Sequence, residues 1–361
     1  MAATDYPLNH PLAVKLWSKK LAHEALQQTW ASRFMGEDDS SVIQIYDDTQ
    51  KSAGDRITIG LRMQLNGTGV LGNGTLAGNE EALTTYSDNL VIDQLRNAVR
   101  SSGRISEQRV NFDVREEARM GLQDWWADRF DAAFINQLTG NTGQADVRYT
   151  GNNAAIAPSS NNVIYADGRT TEATVCSASA SGVFKISHIN VAKETALTNS
   201  PLIRPIKING EDKYVLFMHP FQVTALRNNT STGQWLDIQK AAMTGGQISN
   251  NPIYTGALGE FNQVILHSSN RIPLTTNAAD YSTTNLAGNY RAVLAGAQAC
   301  ALAFGRENGV DKATWYEEKF DYGNQLGVSG GFVYGLKKLQ FNSQDFSTVV
   351  INTFASRGST A

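Results

Sequence analysis

The sequence predicts an α+β fold in which an α/β block interrupts a discontinuous outer domain. Three observations predict it. Residues 113–139 read as one long amphipathic helix. Residues 51–105 read as a projecting hairpin with a glycine-rich tip. Residues 184–305 alternate short helices with strands, after which the chain turns β again.

The long helix is announced by its ends and its period. Asp113 is placed to cap its N-terminus, and Glu116 has the spacing of a capping box. Glu116 and Glu117 fall in the first turn, where the helix dipole favours acids. Val114, Ala118, Leu122, Trp125, Trp126, Phe130, Phe134 and Leu138 recur every three or four residues, giving one wide apolar face. Arg115, Arg119, Asp124, Asp128 and Asp131 supply charge elsewhere. Gly140 is placed for a left-handed C-terminal residue. About 26 residues at 1.5 Å each make a rod of roughly 39 Å. No catalytic motif surrounds it, so it is a structural spine.

Ahead of it, residues 1–8 are extended. A helix follows Asn9, with Pro11 in its first turn and a stop at Gly36, and Leu16, Trp17, Leu21, Ala25, Trp30 and Phe34 are its apolar stripe. Lys15, Lys19, Lys20 and His23 form a small basic side, read as a solvated face. Val42 to Tyr46 is a short strand.

Ile57, Ile59, Leu61, Met63 and Leu65 alternate with Arg56, Thr58, Gly60, Arg62 and Gln64, a strand with one apolar face. The tip holds Gly67, Gly69, Gly72 and Gly74, then Glu80 and Glu81, before residues 85–99 return. Gly67 to Gly72 match the dinucleotide fingerprint in form. That motif needs a helix opening directly after it, and glycine density here opposes one. The segment is read instead as a loop that orders against another chain.

Residues 141–183 are polar and nearly uncharged, a surface insertion with short hairpins. In the central block, Ser187 can cap a helix and Tyr214–Met218 is a strand covered on both faces. His219-Pro220 starts a helix, residues 235–243 form another that Gly245-Gly246 stop, and 264–266 and 292–294 are core strands. Residues 297–304 read as a small packed helix. From Ala313 onward strands return, punctuated from Gly327 to Gly335, with a final strand at 346–354.

Composition excludes several functions. A net charge of −3 over 361 residues excludes general polyanion binding by electrostatics. Cys176 and Cys300 make neither a disulfide framework nor a zinc spacing. No apolar run approaches the length of a membrane span, and residues 1–10 carry no secretory signal. None of the five histidines pairs at metal-ligand spacing; His219 and His267 read as hydrogen-bonded in place. Glu317 and Glu318 point to opposite sides of a strand and cannot form a dyad. No catalytic, cofactor or metal residue is assigned.

Residues 51–65, then 78–83 (GNEEAL), then RSSGRISEQRV running into FDVREEARMGLQDWWADRF resemble the major capsid proteins of tailed bacteriophages, specifically the N-four-like family. The likeness is close over 50–140 and holds in outline over 184–361. Gly60 departs from it, since proline often sits at that strand position. The resemblance implies an HK97-type capsid fold: an N-terminal arm (1–50), an E-loop (51–105), a P-domain (106–183 and 306–361) holding the spine, and an A-domain (184–305). It implies self-assembly into pentamers and hexamers of an icosahedral shell around double-stranded DNA, built in the host bacterial cytoplasm.

Further expectations follow from that likeness. The E-loop lies across a neighbouring subunit, where Arg56 and Arg62 meet acids from the Asp124, Asp128 and Asp131 side of the spine. Some relatives of the fold join subunits through a Lys–Asn isopeptide bond from this loop. Lys51 lies only at its base and no lysine occurs from Arg56 to Val99, so no such bond is expected. With no scaffolding extension ahead of the arm, a separate scaffolding protein is implied, together with a portal and a decoration protein. DNA contact is loose, with the basic side of the first helix the best candidate. An encapsulin-type compartment shares this logic; a glycan-active enzyme on the α/β block is the rival from another class.

Overall fold

The computed structural model describes residues 11–46, 55–63, 65–109, 113–176, 182–208, 210–229, 259–274, 287–307, 310–311 and 313–357. In chain order these form α1 (Pro11–Gln28), β1 (Ile43–Tyr46), β2 (Arg56–Arg62), β3 (Thr85–Val91), β4 (Asp93–Arg100) and α2 (Arg104–Arg109). The spine α3 (Val114–Thr139), β5 (Val163–Tyr165), α4 (Glu172–Cys176), α5 (Ile186–Thr198), β6 (Glu211–Met218) and α6 (Pro220–Asn228) follow. The last are β7 (Val264–Ser268), β8 (Gly288–Ala295), β9 (Cys300–Phe304), β10 (Ala313–Phe320), β11 (Gln325–Lys338) and β12 (Thr348–Ala355).

Two mixed sheets carry the fold. One runs β1-β9-β11-β10, with β4 also on β11. The other runs β5-β12-β8-β6-β7. Trp126, Phe130 and Phe134 of α3 share one core with Phe217 of β6, Val293 of β8, Phe304 of β9 and Phe332 of β11. A second core packs α5 and α6 onto Tyr214, Leu216, Leu294 and Ile351. Successive residues of β6 thus serve opposite cores, as its unbroken apolar run predicts.

The spine matches its expected bounds, with a left-handed Gly140 (φ 60°) closing it. Its cap differs from the expected box. Asp113 accepts from the Arg115 N–H at 2.9 Å, whereas Glu116 turns to Arg119, which also pairs with Glu24 of α1. The acid is drawn off by a cation that ties two helices together.

Several expectations are corrected. The first helix ends at Gln28, not Gly36, and Trp30–Phe34 is a separate 3-10 turn. Residues 104–109 form a short helix where none was expected. The cap of α5 is Lys185, not Ser187. Residues 300–304 form a strand rather than a helix, buried between β1 and β11; a short apolar run does not separate the two by period. Gly327 to Gly335 lie within β11, which returns antiparallel to β10 as expected. The final strand joins the second sheet, antiparallel to β8, instead of completing the outer domain. A boundary at 305/306 therefore misassigns both β9 and β12. The helix expected at 235–243, its Gly245-Gly246 stop and Lys51 lie outside the described residues.

Among its described residues, the polar stretch 141–183 has turns, the edge strand β5 and the short helix α4 in place of hairpins. Much of it is an internal bracket. Asn153 accepts from the Val91 N–H at 3.0 Å and donates to the Val91 carbonyl at 2.9 Å. Gln137 donates to the carbonyls of Thr150 and Asn153 and accepts from the Lys338 N–H. Asn162 donates to the carbonyls of Asp345 and Thr348. Backbone groups that the sheets leave unpaired are satisfied this way.

His219 is fixed in place, as expected. Its Nδ1 accepts from the Phe221 N–H at 3.2 Å, and its ring stacks on Tyr290 at 4.4 Å. Burial pushes its pKa down from 6.5 to about 4. The unfolded chain then binds the proton more readily, so stability present above pH 6.5 is lost as pH falls toward about 4. One such group contributes on the order of 3 kcal/mol. Melting temperatures measured across that window are expected to fall, and His219→Asn, which keeps a capping oxygen, to flatten the fall. An unchanged slope in that variant would assign the loss to other groups.

Candidate assembly surface

The expected hairpin is present as β2–β3, paired in register from Arg56 opposite Val91 to Arg62 opposite Thr85. Its base is covered by its own chain. Ile57 and Ile59 pack with Leu90, Ile92, Ala301, Ala303, Leu339, Phe341 and Phe346, with Leu61 partly buried against them. An apolar underside wholly awaiting a partner is therefore a correction: its first half already has cover. Lys337, paired with Asp88, clamps the same base. Arg56 and Arg62 face solvent on the other side.

Beyond Met63, which is half-buried, the loop leaves its own body. Leu65, Leu71, Leu76 and Leu83 are 56%, 94%, 62% and 57% exposed. The loop nevertheless has shape. Glu81 accepts from the N–H groups of Asn66 (2.7 Å) and Gly67 (2.6 Å), closing its neck. Glu80 accepts from the Gly78 N–H at 2.7 Å. Gly69 and Gly72 adopt φ of 68° and 59°, and Gly74 donates to the Leu71 carbonyl. Glu80 and Glu81 are thus internal braces of the tip. No helix follows Gly72, so the fingerprint match is coincidental.

The acids of the spine are engaged at home. Asp131 is only 7% exposed and accepts from the N–H groups of Trp30 (3.2 Å) and Ala31 (2.9 Å). It caps the 3-10 turn, which explains the break after Gln28; burial, outweighing these bonds, raises its pKa. It is unavailable to a neighbour's arginine, contrary to expectation. Asp128 pairs with Arg271, and Asp124 accepts from Gln28 Nε2 at 2.6 Å; both remain exposed. Trp126 is fully buried, whereas Trp125 is half-buried and lies beneath the Arg129 guanidinium. Arg115 reaches Glu317 at 2.7 Å, and Glu318 points outward as its strand parity predicts.

Sequence reasoning missed Asn153 and Asp88, which seat the hairpin, Gln137, which holds the Asn153 carbonyl, and Arg291, which donates to the Thr139 and Gly140 carbonyls at the end of the spine. Among the described residues no cluster of three or more His, Cys, Asp or Glu could hold a metal.

The chain matches the family model described as phage capsid protein over residues 5–357. It is 27% identical over 369 aligned residues to the major capsid protein of Pseudomonas phage KPP25, covering 94% of each. The capsid of Ralstonia phage GP4 superposes over the full length of both chains at 32% identity, with a TM-score of 0.76. The Cyanophage Pam1 capsid follows the same fold at 20% identity and a TM-score of 0.72, over 92% of this chain and 94% of its own. The architecture is thus HK97-type, as the resemblance implied. Sequence and fold agree along nearly the whole polypeptide, and the chain belongs to the phage capsid protein family, as a structural component of the virion shell and not an enzyme.

Proposed function

We propose that copies of this chain join as pentamers and hexamers of an icosahedral shell around double-stranded DNA, each gripping the next through the tip of its E-loop. The observation that carries this reading is the set of four exposed leucines on a braced loop. An unpartnered two-stranded ribbon is marginal in water, and exposed apolar side chains concentrated at one place mark an interaction site. Arg56 and Arg62 lie on the solvent face of the same ribbon, suited to bidentate contact with a neighbour's carboxylates. Asp124 and Asp128 are the spine acids that remain exposed for it. Assembly takes place in the host cytoplasm with a separate scaffolding protein, a portal and a decoration protein, and packaged DNA is touched loosely.

Negative-stain microscopy of the purified protein tests the reading. Closed shells or capsomer rings are expected, and a stable monomer at high concentration would overturn it. Mature particles run on a denaturing gel are expected to give a single monomer band, because the described E-loop offers no lysine. A ladder of covalent multimers would refute that expectation.

A further inference from the structure

Lys338 ends β11, and Asp345 lies across the tight return formed by Gln340–Phe341 and Gln344–Asp345. Both side chains are 0% exposed, and Lys338 Nζ sits 2.8 Å from Asp345 Oδ1. The two are at ion-pair distance, and among the described residues Nζ has no hydrogen-bond partner beyond Asp345. The carboxylate is better served. Gln340 Nε2 donates to Oδ1 at 2.7 Å, and the Ser159 N–H donates to Oδ2 at 3.1 Å. The Asp345 backbone is fixed as well, its N–H donating to Ser159 Oγ and its carbonyl accepting from Asn162. A buried ion pair offsets its desolvation only when both partners have further hydrogen bonds. Here only the anion has them. Burial pushes the Lys338 ammonium below the usual lysine range, against the opposing pull of the Asp345 charge.

We propose that Lys338 Nζ and Asp345 Cγ condense into an intrachain amide, a covalent staple across the return after β11. The ammonium first passes one proton to the carboxylate, leaving an amine and a carboxylic acid. The nitrogen lone pair attacks Cγ, a C–N bond forms, and the carbonyl π pair moves onto oxygen. Gln340 Nε2–H and the Ser159 N–H already face the two oxygens and stabilise that charge. The hydroxyl then leaves with a second proton from nitrogen, as water. Nothing is oxidised or reduced, and both buried charges disappear. Contact enforced by the fold raises the effective concentration of the reacting groups, and exclusion of water opposes hydrolysis. The bond lies within one chain, so it adds no multimer band and stands independently of the assembly reading.

Intact-mass spectrometry of the purified, folded wild-type chain tests this. The chain is expected to be lighter than its sequence by one water. Fragmentation after tryptic digestion should join Lys338 to Asp345, with cleavage after Lys338 blocked. Asp345→Asn is expected to lose ammonia instead, and Lys338→Met to keep its full mass. A wild-type chain of full sequence mass, or a lost water that maps elsewhere, overturns the proposal. The wild-type measurement decides alone if either variant fails to fold.

Discussion

Replacing Leu65, Leu71, Leu76 and Leu83 together with serine is expected to abolish shells while leaving the monomer folded. These side chains are mostly exposed in their own subunit, so their removal takes little from its stability. Each would contribute roughly 2 kcal/mol on full burial against another copy. In a closed assembly the loss recurs at every interface, because all copies use the same surfaces. Size-exclusion chromatography should show a monomer with unchanged melting temperature, and microscopy should show no particles. Normal particles from this variant would place the adhesive surface elsewhere.

Gly335→Ala is expected to cost the chain its fold, not merely its assembly. A Cβ at Gly335 would lie 2.1 Å from the Val91 carbonyl oxygen. That oxygen cannot easily retreat, because Asn153 grips both the N–H and the carbonyl of Val91. The effect should reach or exceed the upper end of the ~1–3 kcal/mol typical of overpacking. Gly60 provides the contrast, since a Cβ there meets nothing within 4 Å; Gly60→Ala should melt close to wild type. Similar melting temperatures for the two variants would show that β11 and the hairpin base are more yielding than this.

What could be read from the sequence was local. The spine's two ends depend on Asp113 and Gly140, which act within a turn of themselves, and both are where their chemistry placed them. The alternation of Ile57 and Ile59 showed which side of β2 is apolar, but not that β9 and Phe346 would cover it. Asp131 shares a helix with Asp124 and Asp128, and nothing nearby in the chain says that it caps a turn 100 residues earlier. Asn153 and Asn162 looked like surface because their partners are backbone groups of remote strands. Gly335 read only as punctuation in a returning segment, and nothing nearby in the chain says that the Val91 carbonyl lies where its Cβ would be. The assembly surface was legible as a loop; its division into a seated base and a free tip was not.

The exchange of β9 and β12 between the sheets limits how this molecule can be rearranged. A continuous piece spanning 184–305 carries away β9, which belongs to the spine's sheet, and omits β12, which lies between β5 and β8. Recombination that swapped such a piece between related phages would put a foreign β9 into the spine's sheet and leave a native β12 between foreign strands of the other. Working hybrids should instead have crossover points before β9 and on both sides of β12, so the two regions are inherited as interleaved parts and not as a cassette.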